Sequence, residues 1–301
     1  MNAINRPMNL AKGFAHKAMN NVTAPISGSD LAIGSGFKAK SFSAKEIGET
    51  MDPLVMVDHY VMTQPTFGAH PHAGMSAVSL LFEDSEGLFH NRDSLGNDFD
   101  LMPGDLYWLA AGSGAVHDEY PRANARTHGL QVFVNVSQDQ RFETPVSRLV
   151  RSEDMPVINN AGSRVRVALG ESNGIRSAAS PSTPMTILDG AIQPGSRFSH
   201  QSGANRGVWV QAIKGSLDVS VGETTRHLDP GQAVSINTGG SAKISLTNSS
   251  REPVHFALFD GAQVAEPYVQ DGPFVMGSRE EIADIKAAYD AGQLGSIADT
   301  L

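Results

Sequence analysis

The chain has 301 residues, with 23 Lys and Arg against 32 Asp and Glu, a formal net charge of −9, and no cysteine. The lack of cysteine excludes disulfides, thiolate metal ligands and a cysteine nucleophile, so any bound metal ion must be held by histidines and carboxylates. The acidic balance, without a long run of Lys and Arg, argues against direct binding of nucleic acid but leaves a protein partner open.

The N-terminal stretch, MNAINRPMNLAKGFAHKAMN, lacks the continuous apolar core of a signal peptide. No later segment reaches the ~18 consecutive apolar residues of a membrane-spanning helix. We therefore expect a cytoplasmic protein without membrane attachment, in which this stretch forms a loose arm or a short helix. The sequence assigns no role to residues 1–28.

Short apolar runs, such as Ala77 to Phe82 and Leu130 to Val136, stand between clusters of Gly, Asp and Asn, and the same pattern resumes from Thr186 to Phe259. With 30 Gly, 16 Pro and 18% charged residues, it is typical of strands and turns and not of a helical bundle. The length is about twice that of a usual single domain. We therefore predict an all-β protein of two domains, residues 1–150 and 151–301.

An internal repeat supports this division. Pro103-Gly104 recurs 127 positions later, from 103 to 230, as Pro230-Gly231, and His128 before a β-like run recurs as His255. Two glycine pairs have the same spacing, Gly68 with Gly195 and Gly112 with Gly239. A constant spacing across several matches indicates two copies of one barrel.

The chain then ends in a different pattern. Ser278-Arg279-Glu280-Glu281 has the form of a capping box, and Gly292 follows as a stop signal. The apolar residues between them that fall on one helical face are Ile282, Ile285 and Tyr289. We predict a short helix over about residues 278–291 that packs this face against one barrel.

Two pairs of side chains suit metal binding. In His70-Pro71-His72 the imidazoles stand at i and i+2, which on a strand project to the same face, and His117-Asp118-Glu119 repeats this spacing. If the two segments are neighbours, three imidazoles and one carboxylate converge on one point. A single H-x-H motif is weak evidence because short matches are frequent, but the second pair makes a metal site in residues 1–150 the favoured interpretation.

The ligand set His70, His72, His117 and Glu119 suits Fe(II), Mn(II), Ni(II), Cu(II) or Zn(II). We favour Fe(II), since four protein ligands on a six-coordinate ion leave two positions open for water, substrate or dioxygen. A structural zinc ion with no open position is the main alternative.

Other histidines and aromatic residues have simpler interpretations. His59 and His90 are each expected to be hydrogen-bonded structural histidines, and Trp108 to be a core residue. Adding the repeat spacing to the four ligands gives residues that cannot replace them, namely Arg197, Ser199, Ile244 and Leu246. We therefore expect no metal site in the second barrel.

These motifs, with others, resemble the pirin family within the cupins. The resemblance rests on Met51-Asp52-Pro53-Leu54, His70-Pro71-His72-Ala73-Gly74, Arg92-Asp93-Ser94-Leu95-Gly96-Asn97, Pro103-Gly104-Asp105, Ala111 to Glu119 and Glu266 to Met276. It implies two tandem cupin barrels of jelly-roll type, of which only the first binds metal through the four named ligands. Ala73 and Ser76 depart from the usual pattern, in which an Arg and a Glu are common.

The family includes quercetinases and regulators that act through protein partners, so the resemblance implies two functions. The first is a metal-dependent dioxygenase of the quercetin 2,3-dioxygenase type, with a flavonol or another enolisable aromatic as substrate. Glu119 would then serve as metal ligand and as the catalytic base. The alternative is a metal- or redox-responsive module that binds a protein partner without turnover.

Overall fold

The structure is a computed structural model that describes residues 20–297, so the predicted N-terminal arm or helix lies almost wholly outside the described residues. The strands of the first half are β1 (Asn21–Val22), β2 (Ser29–Ile33), β3 (Phe37–Ser43), β4 (Leu54–Met62), β5 (His70–His72), β6 (Met75–Leu81), β7 (Phe89–Asp93), β8 (Asp98–Leu101), β9 (Leu106–Ala110), β10 (Ala115–Pro121), β11 (Thr127–Asn135) and β12 (Val146–Val150). A four-residue helix, α1 (Ala44–Ile47), follows β3.

The strands of the second half are β13 (Val157–Asn160), β14 (Ser163–Leu169), β15 (Glu171–Ser172), β16 (Ile175–Arg176), β17 (Met185–Ile192), β18 (Arg197–Ser202), β19 (Arg206–Lys214), β20 (Leu217–Val221), β21 (Thr224–Leu228), β22 (Ala233–Thr238), β23 (Ala242–Thr247), β24 (Val254–Ala262), β25 (Val269–Asp271) and β26 (Phe274–Met276). The helix α2 (Arg279–Asp290) follows them. None of the helices described is long and apolar enough to cross a membrane.

The strands build two lobes of the same design. The first lobe pairs a seven-stranded sheet, in the order β12-β9-β6-β11-β4-β3-β2, with a four-stranded sheet, β5-β10-β7-β8. The second lobe has a seven-stranded sheet, β1-β22-β19-β24-β17-β14-β13, and a four-stranded sheet, β18-β23-β20-β21. The prediction of an all-β protein with two tandem barrels is confirmed.

The repeat spacing holds for part of each lobe only. Strands β11 and β24 start and end 127 positions apart, but His117 of β10 pairs with His70, whereas Ile244 of β23 pairs with His200. The structural counterpart of His70 is therefore His200 and not Arg197, because the second lobe has three fewer residues between this strand and its Pro-Gly turn. The predicted correspondence of Arg197 and Ser199 with the first two ligands is wrong.

The two seven-stranded sheets pack against each other and share a core. Phe42 and Trp108 of the first lobe belong to the same buried cluster as Trp209 and Phe259 of the second, and the rings of Phe42 and Trp209 meet edge to face at 5.1 Å. The two barrels are therefore packed together through one continuous apolar core.

The terminal segments cross over between the lobes. Strand β1 pairs with β22 of the second lobe, while the C-terminal segment lies on the first lobe, where the Val275 N–H donates to the Ala73 carbonyl at 3.0 Å. The domain boundary between residues 150 and 151 remains a prediction. Strand β1 adds to the second lobe, and the segment around Val275 adds to the first.

The C-terminal helix begins as the capping box predicts. The Ser278 hydroxyl accepts a hydrogen bond from the Glu281 N–H at 3.1 Å, and the Glu281 carboxylate accepts one from the Gly277 N–H at 2.7 Å. Ile282 is buried in a cluster with Val116 of the first lobe. Tyr289 is 36% exposed, so the buried face is shorter than the sequence predicts.

We expect the contact between lobes to be sensitive to a single methyl group. A Cβ atom at Gly207 of β19 would lie 1.7 Å from the Asp52 carbonyl oxygen, so Gly207→Ala must push the lobes apart. We expect the substitution to lower the free energy of unfolding by about 1–3 kcal/mol, as overpacking does.

Gly240→Ala is the matched control, because a Cβ atom there meets no heavy atom within 4 Å and its φ is not positive. We expect this control to stay within about 0.5 kcal/mol of the original protein. Chemical denaturation of both variants measures the difference, and equal stabilities would contradict a tight contact between Gly207 and Asp52.

Candidate metal centre

Strands β5 and β10 bring the two predicted ligand pairs together. They run antiparallel with His117 opposite His70 and Ala115 opposite His72, so the three imidazoles lie on one face of this sheet. The Nε2 atoms of His72 and His117 are 2.9 Å apart, and those of His117 and His70 are 3.1 Å apart. The structure thus gathers three of the four predicted ligands.

The spacing of the three rings fits a metal ion. Two nitrogens that each bind an ion at about 2.0–2.1 Å and at a right angle stand ~3.0 Å apart. All three ligand atoms lie within 4.8 Å of one another. The His72–His117 and His117–His70 nitrogen pairs therefore each have the spacing of two adjacent ligands on one octahedral ion.

The protonation state of the rings also suits metal binding. Burial lowers the pKa of His70, His72 and His117 below the usual value of 6.5, and neighbouring histidines lower it further for His72 and His117. The rings are therefore neutral at pH 7. The Nδ1–H of His70 donates to the Gly68 carbonyl at 2.8 Å, which leaves the Nε2 lone pair of this ring free to bind an ion.

Glu119 lies in the same cavity, two residues beyond His117 on β10. Both of its carboxylate oxygens are 2.9 Å from the Ser79 hydroxyl, and the group of mutually close ligand atoms comprises the three histidines without Glu119. Burial raises the pKa of Glu119 to about 7. The hydrogen bond from Ser79 opposes this rise, and the charge of Asp118 adds to it. This carboxyl group can therefore take up or release a proton near neutral pH.

Asp118 points away from the histidines, as the strand alternation predicts. Its carboxylate accepts hydrogen bonds from the Arg92 guanidinium at 3.0 and 3.2 Å. A negative charge next to the candidate ligands is thus held on the outer side of β10 by an ion pair.

The histidines line a cavity of about 500 Å³ inside the first lobe. Its walls are mostly apolar and include Phe37, Phe67 and Phe133, while Asp58, Tyr60 and Gln131 add polar groups from the seven-stranded sheet. Gly272 and Pro273, at the turn between β25 and β26, close another side. An apolar cavity with a few convergent polar groups is typical of a small-molecule site.

The approach of this C-terminal turn depends on a glycine. Gly74 follows the ligand strand β5 with φ of 69°, and a Cβ atom there would lie 2.0 Å from the Val275 carbonyl oxygen. Only a residue without a side chain lets β26 run this close to β5.

Sequence reasoning missed Asp58, Tyr60, Gln131 and the C-terminal turn as parts of the cavity. A weak signal exists for the first two, because they occupy alternate positions of β4, but only the assembled fold shows that the face they share with Gln131 of β11 turns toward the histidines. The turn lies about 200 residues after His70 and His72 and about 155 after His117, and no local pattern reports such a contact.

The histidines and the tryptophan interpreted from the sequence as structural make hydrogen bonds or lie in the core. Nε2 of His59 contacts Nε2 of His128 at 2.8 Å, and Nδ1 of His90 contacts Asp100 at 3.0 Å. Trp108 is fully buried in the core. His128 and His255, which share a repeat position, both pack against Phe82 in T-shaped contacts, with ring centroids 4.9 and 4.6 Å apart.

The second lobe fills the corresponding volume differently. His200 bonds Asp260 at 2.9 Å through Nε2 and Ser172 at 2.9 Å through Nδ1, and all three are buried. Ile244 and Leu246, the counterparts of His117 and Glu119, are fully buried in its core. Between residues 20 and 297, the three first-lobe histidines form the one cluster able to hold a metal ion.

Comparison with solved structures supports this architecture. A quercetin 2,3-dioxygenase from Acinetobacter baumannii superposes with a TM-score of 0.80 at 26% identity, covering 93% of this chain and all of its own. A bacterial pirin from Escherichia coli, solved in complex with nickel(II), has a TM-score of 0.59 and 20% identity over 82% of this chain and all of its own. At that identity the second likeness shows the fold alone.

Sequence comparison gives the family. The family model for pirin matches residues 31–134, and that for the pirin C-terminal cupin domain matches residues 187–295. Pirin from Rattus norvegicus is 30% identical over 265 residues, which cover 87% of this chain and 89% of the relative, and pirin from Homo sapiens is 29% identical over 263 residues with the same coverage. With two cupin barrels and both family regions matched, the chain belongs to the pirin family.

Proposed function

We propose that this chain holds one divalent transition metal ion, with Fe(II) favoured, through His70, His72, His117 and Glu119. With it, the chain would act as a dioxygenase on a flavonol or a related enolisable aromatic. The observation that carries the proposal is the convergence of three neutral Nε2 atoms, 2.9 and 3.1 Å apart, at a mostly apolar cavity of about 500 Å³. The likeness to a quercetin 2,3-dioxygenase supports the substrate class.

The donor set supports a catalytic site over a structural zinc site. A closed zinc site needs four protein ligands in a tetrahedron, whereas the group of mutually close donor atoms here comprises three histidines. The histidines also line an open cavity and are not enclosed by the core. When bound, the ion would act as a Lewis acid and give substrate and dioxygen a common site.

The residues of the chain would bind the substrate and move one proton. The phenyl rings of Phe37 and Phe133 provide apolar surface for a flat aromatic molecule and exclude water. Glu119, whose pKa burial raises to about 7 in the metal-free protein, would take the proton of the substrate hydroxyl, with its carboxylate held in place by Ser79. An acidic enol is deprotonated most readily by a base whose pKa lies near the working pH.

We expect His72→Ala to abolish stoichiometric metal binding. Loss of one of three converging imidazoles should weaken affinity by more than about 100-fold, since even indirect partners of metal ligands cost 10–100-fold. Elemental analysis after loading with Fe(II) under anaerobic conditions, or with Ni(II), measures the metal content. His227→Ala is the control, because this ring is 61% exposed and lies in the second lobe, and its metal content should not change. Full metal occupancy in His72→Ala would contradict the site.

We expect Glu119→Gln to lower kcat for quercetin under air by about 10²–10⁴-fold, the usual contribution of a general base. The two proteins are compared at equal metal content, so that weaker metal binding by the variant is not mistaken for a slower chemical step. Oxygen uptake and the decay of the quercetin absorption band measure turnover. No turnover of quercetin by the protein loaded with Fe, Ni, Mn, Cu or Co would contradict the proposed reaction.

Glu119 should also carry a pH-dependent cost in the metal-free protein. Its pKa is about 7 in the folded protein, against an ordinary value of 4.5 that the unfolded chain keeps. The folded protein therefore holds a proton that the unfolded chain releases, and stability falls as pH rises from 4.5 to 7. Above pH 7, metal-free Glu119→Gln should be about 2–3 kcal/mol more stable than the original protein, and the two should converge near pH 4.5. Chemical denaturation in chelator at pH 8 and pH 5 measures this, and lower stability of the variant at pH 8 would contradict it.

A further inference from the structure

One face of β4 forms the wall of the cavity that lies across from the histidines. Its residues at alternate positions, Met56, Asp58, Tyr60 and Met62, all line the cavity. Strand β4 belongs to the seven-stranded sheet, whereas the histidines stand on the four-stranded sheet. Because the cavity of about 500 Å³ is lined by residues of both sheets, a ligand held at the histidines can present its other end to β4.

Two polar atoms on this wall, one from Asp58 and one from Tyr60, have no hydrogen-bond partner within the described part of the chain. Asp58 is 7% exposed, and its Oδ1 atom has no hydrogen bond, although Ser41 bonds the same carboxyl group. Tyr60 is 3% exposed, and its hydroxyl also has no partner. Buried polar atoms without a partner are rare because each costs free energy, and here both belong to residues that line the cavity.

The surroundings restrict the ligand that could satisfy them. Neither lysine nor arginine is among the described residues that line the cavity, whereas two carboxyl groups, Asp58 and Glu119, are. A negatively charged group near β4 would therefore be repelled and left without a counter-ion. The rings of Phe37 and Tyr60 are stacked, with centroids 5.7 Å apart and planes 18° from parallel, which leaves a flat apolar surface beside the two polar groups.

We propose that Asp58, assisted by the Tyr60 hydroxyl, accepts a hydrogen bond from a hydroxyl group at the end of the aromatic substrate remote from the histidines. The cavity then selects uncharged aromatics that carry hydroxyls at both ends, one for the metal side and one for β4. This inference rests on the proposed function for its substrate class and names Asp58 as a specificity-determining residue. Asp58 itself takes no part in the chemical step.

The test uses two probes and the zinc-loaded protein, because zinc has no redox chemistry and binding is then measured without turnover. The probes are quercetin, with hydroxyls on both ring systems, and 3-hydroxyflavone, which keeps only the hydroxyl of the reacting ring. Isothermal titration gives Kd for each probe with the original protein and with Asp58→Leu, Asp58→Asn and Tyr60→Phe. Asp30→Leu, on the exposed edge strand β2 of the same sheet, is the control.

We expect Asp58→Leu to weaken quercetin binding by about tenfold or more and to change 3-hydroxyflavone binding by less than about twofold, since a site built to bond a hydroxyl discriminates against its absence. Asp58→Asn keeps an acceptor oxygen and should retain most of the difference between probes, and Tyr60→Phe should fall between. Asp30→Leu should alter neither affinity. Thermal unfolding of each variant establishes that it is folded.

Equal weakening of both probes by Asp58→Leu, or none, would overturn the role of Asp58, as would failure of the original protein to bind quercetin. The outcome is separate from that of the proposed function, which fails if the iron- or nickel-loaded original protein does not turn quercetin over. A protein that binds quercetin through Asp58 without turnover would keep this inference and lose the dioxygenase.

Discussion

The candidate centre depends on the register between β5 and β10. With His117 opposite His70, alternate residues of both strands turn three imidazoles and Glu119 into the first lobe. A slip of one residue would exchange the two faces and bring Asp118 inward instead. The ion pair between Asp118 and Arg92 opposes this slip, because neither Lys nor Arg is among the described residues that line the cavity. The residue between the ligands is therefore as important for their placement as the turns at the strand ends.

The two lobes use one strand arrangement for different ends. In the first lobe, the space between the sheets is left as a cavity. Burial there keeps the histidines neutral and raises the pKa of Glu119 to about 7. In the second, Ile244 and Leu246 fill the same space with apolar side chains. The second lobe also buries ionisable groups, but it pairs them, as in His200 with Asp260, while the shared core around Trp108 and Trp209 stabilises both lobes.

Much of this was predictable from the sequence, because the deciding signals are local. The i, i+2 spacing in His70-Pro71-His72 and in His117-Asp118-Glu119 indicated which residues face one point, and the Ser278 capping box located the last helix. The residue-by-residue correspondence between the two lobes was not fully predictable. The spacing changes by three residues before the Pro-Gly turn, so a glycine match such as Gly68 with Gly195 does not mark equivalent positions. Asp58 escaped notice because its importance arises from β4 pairing with β11, a contact between residues about 70 positions apart.

Each barrel is completed by a segment from the other half of the sequence. Val22 of β1 completes a sheet of the second lobe, and Pro273 completes the cavity of the first. A gene fragment cut at the middle of the chain would therefore separate each half from a piece of its own structure. Neither half, taken alone, would carry every segment that its own barrel uses.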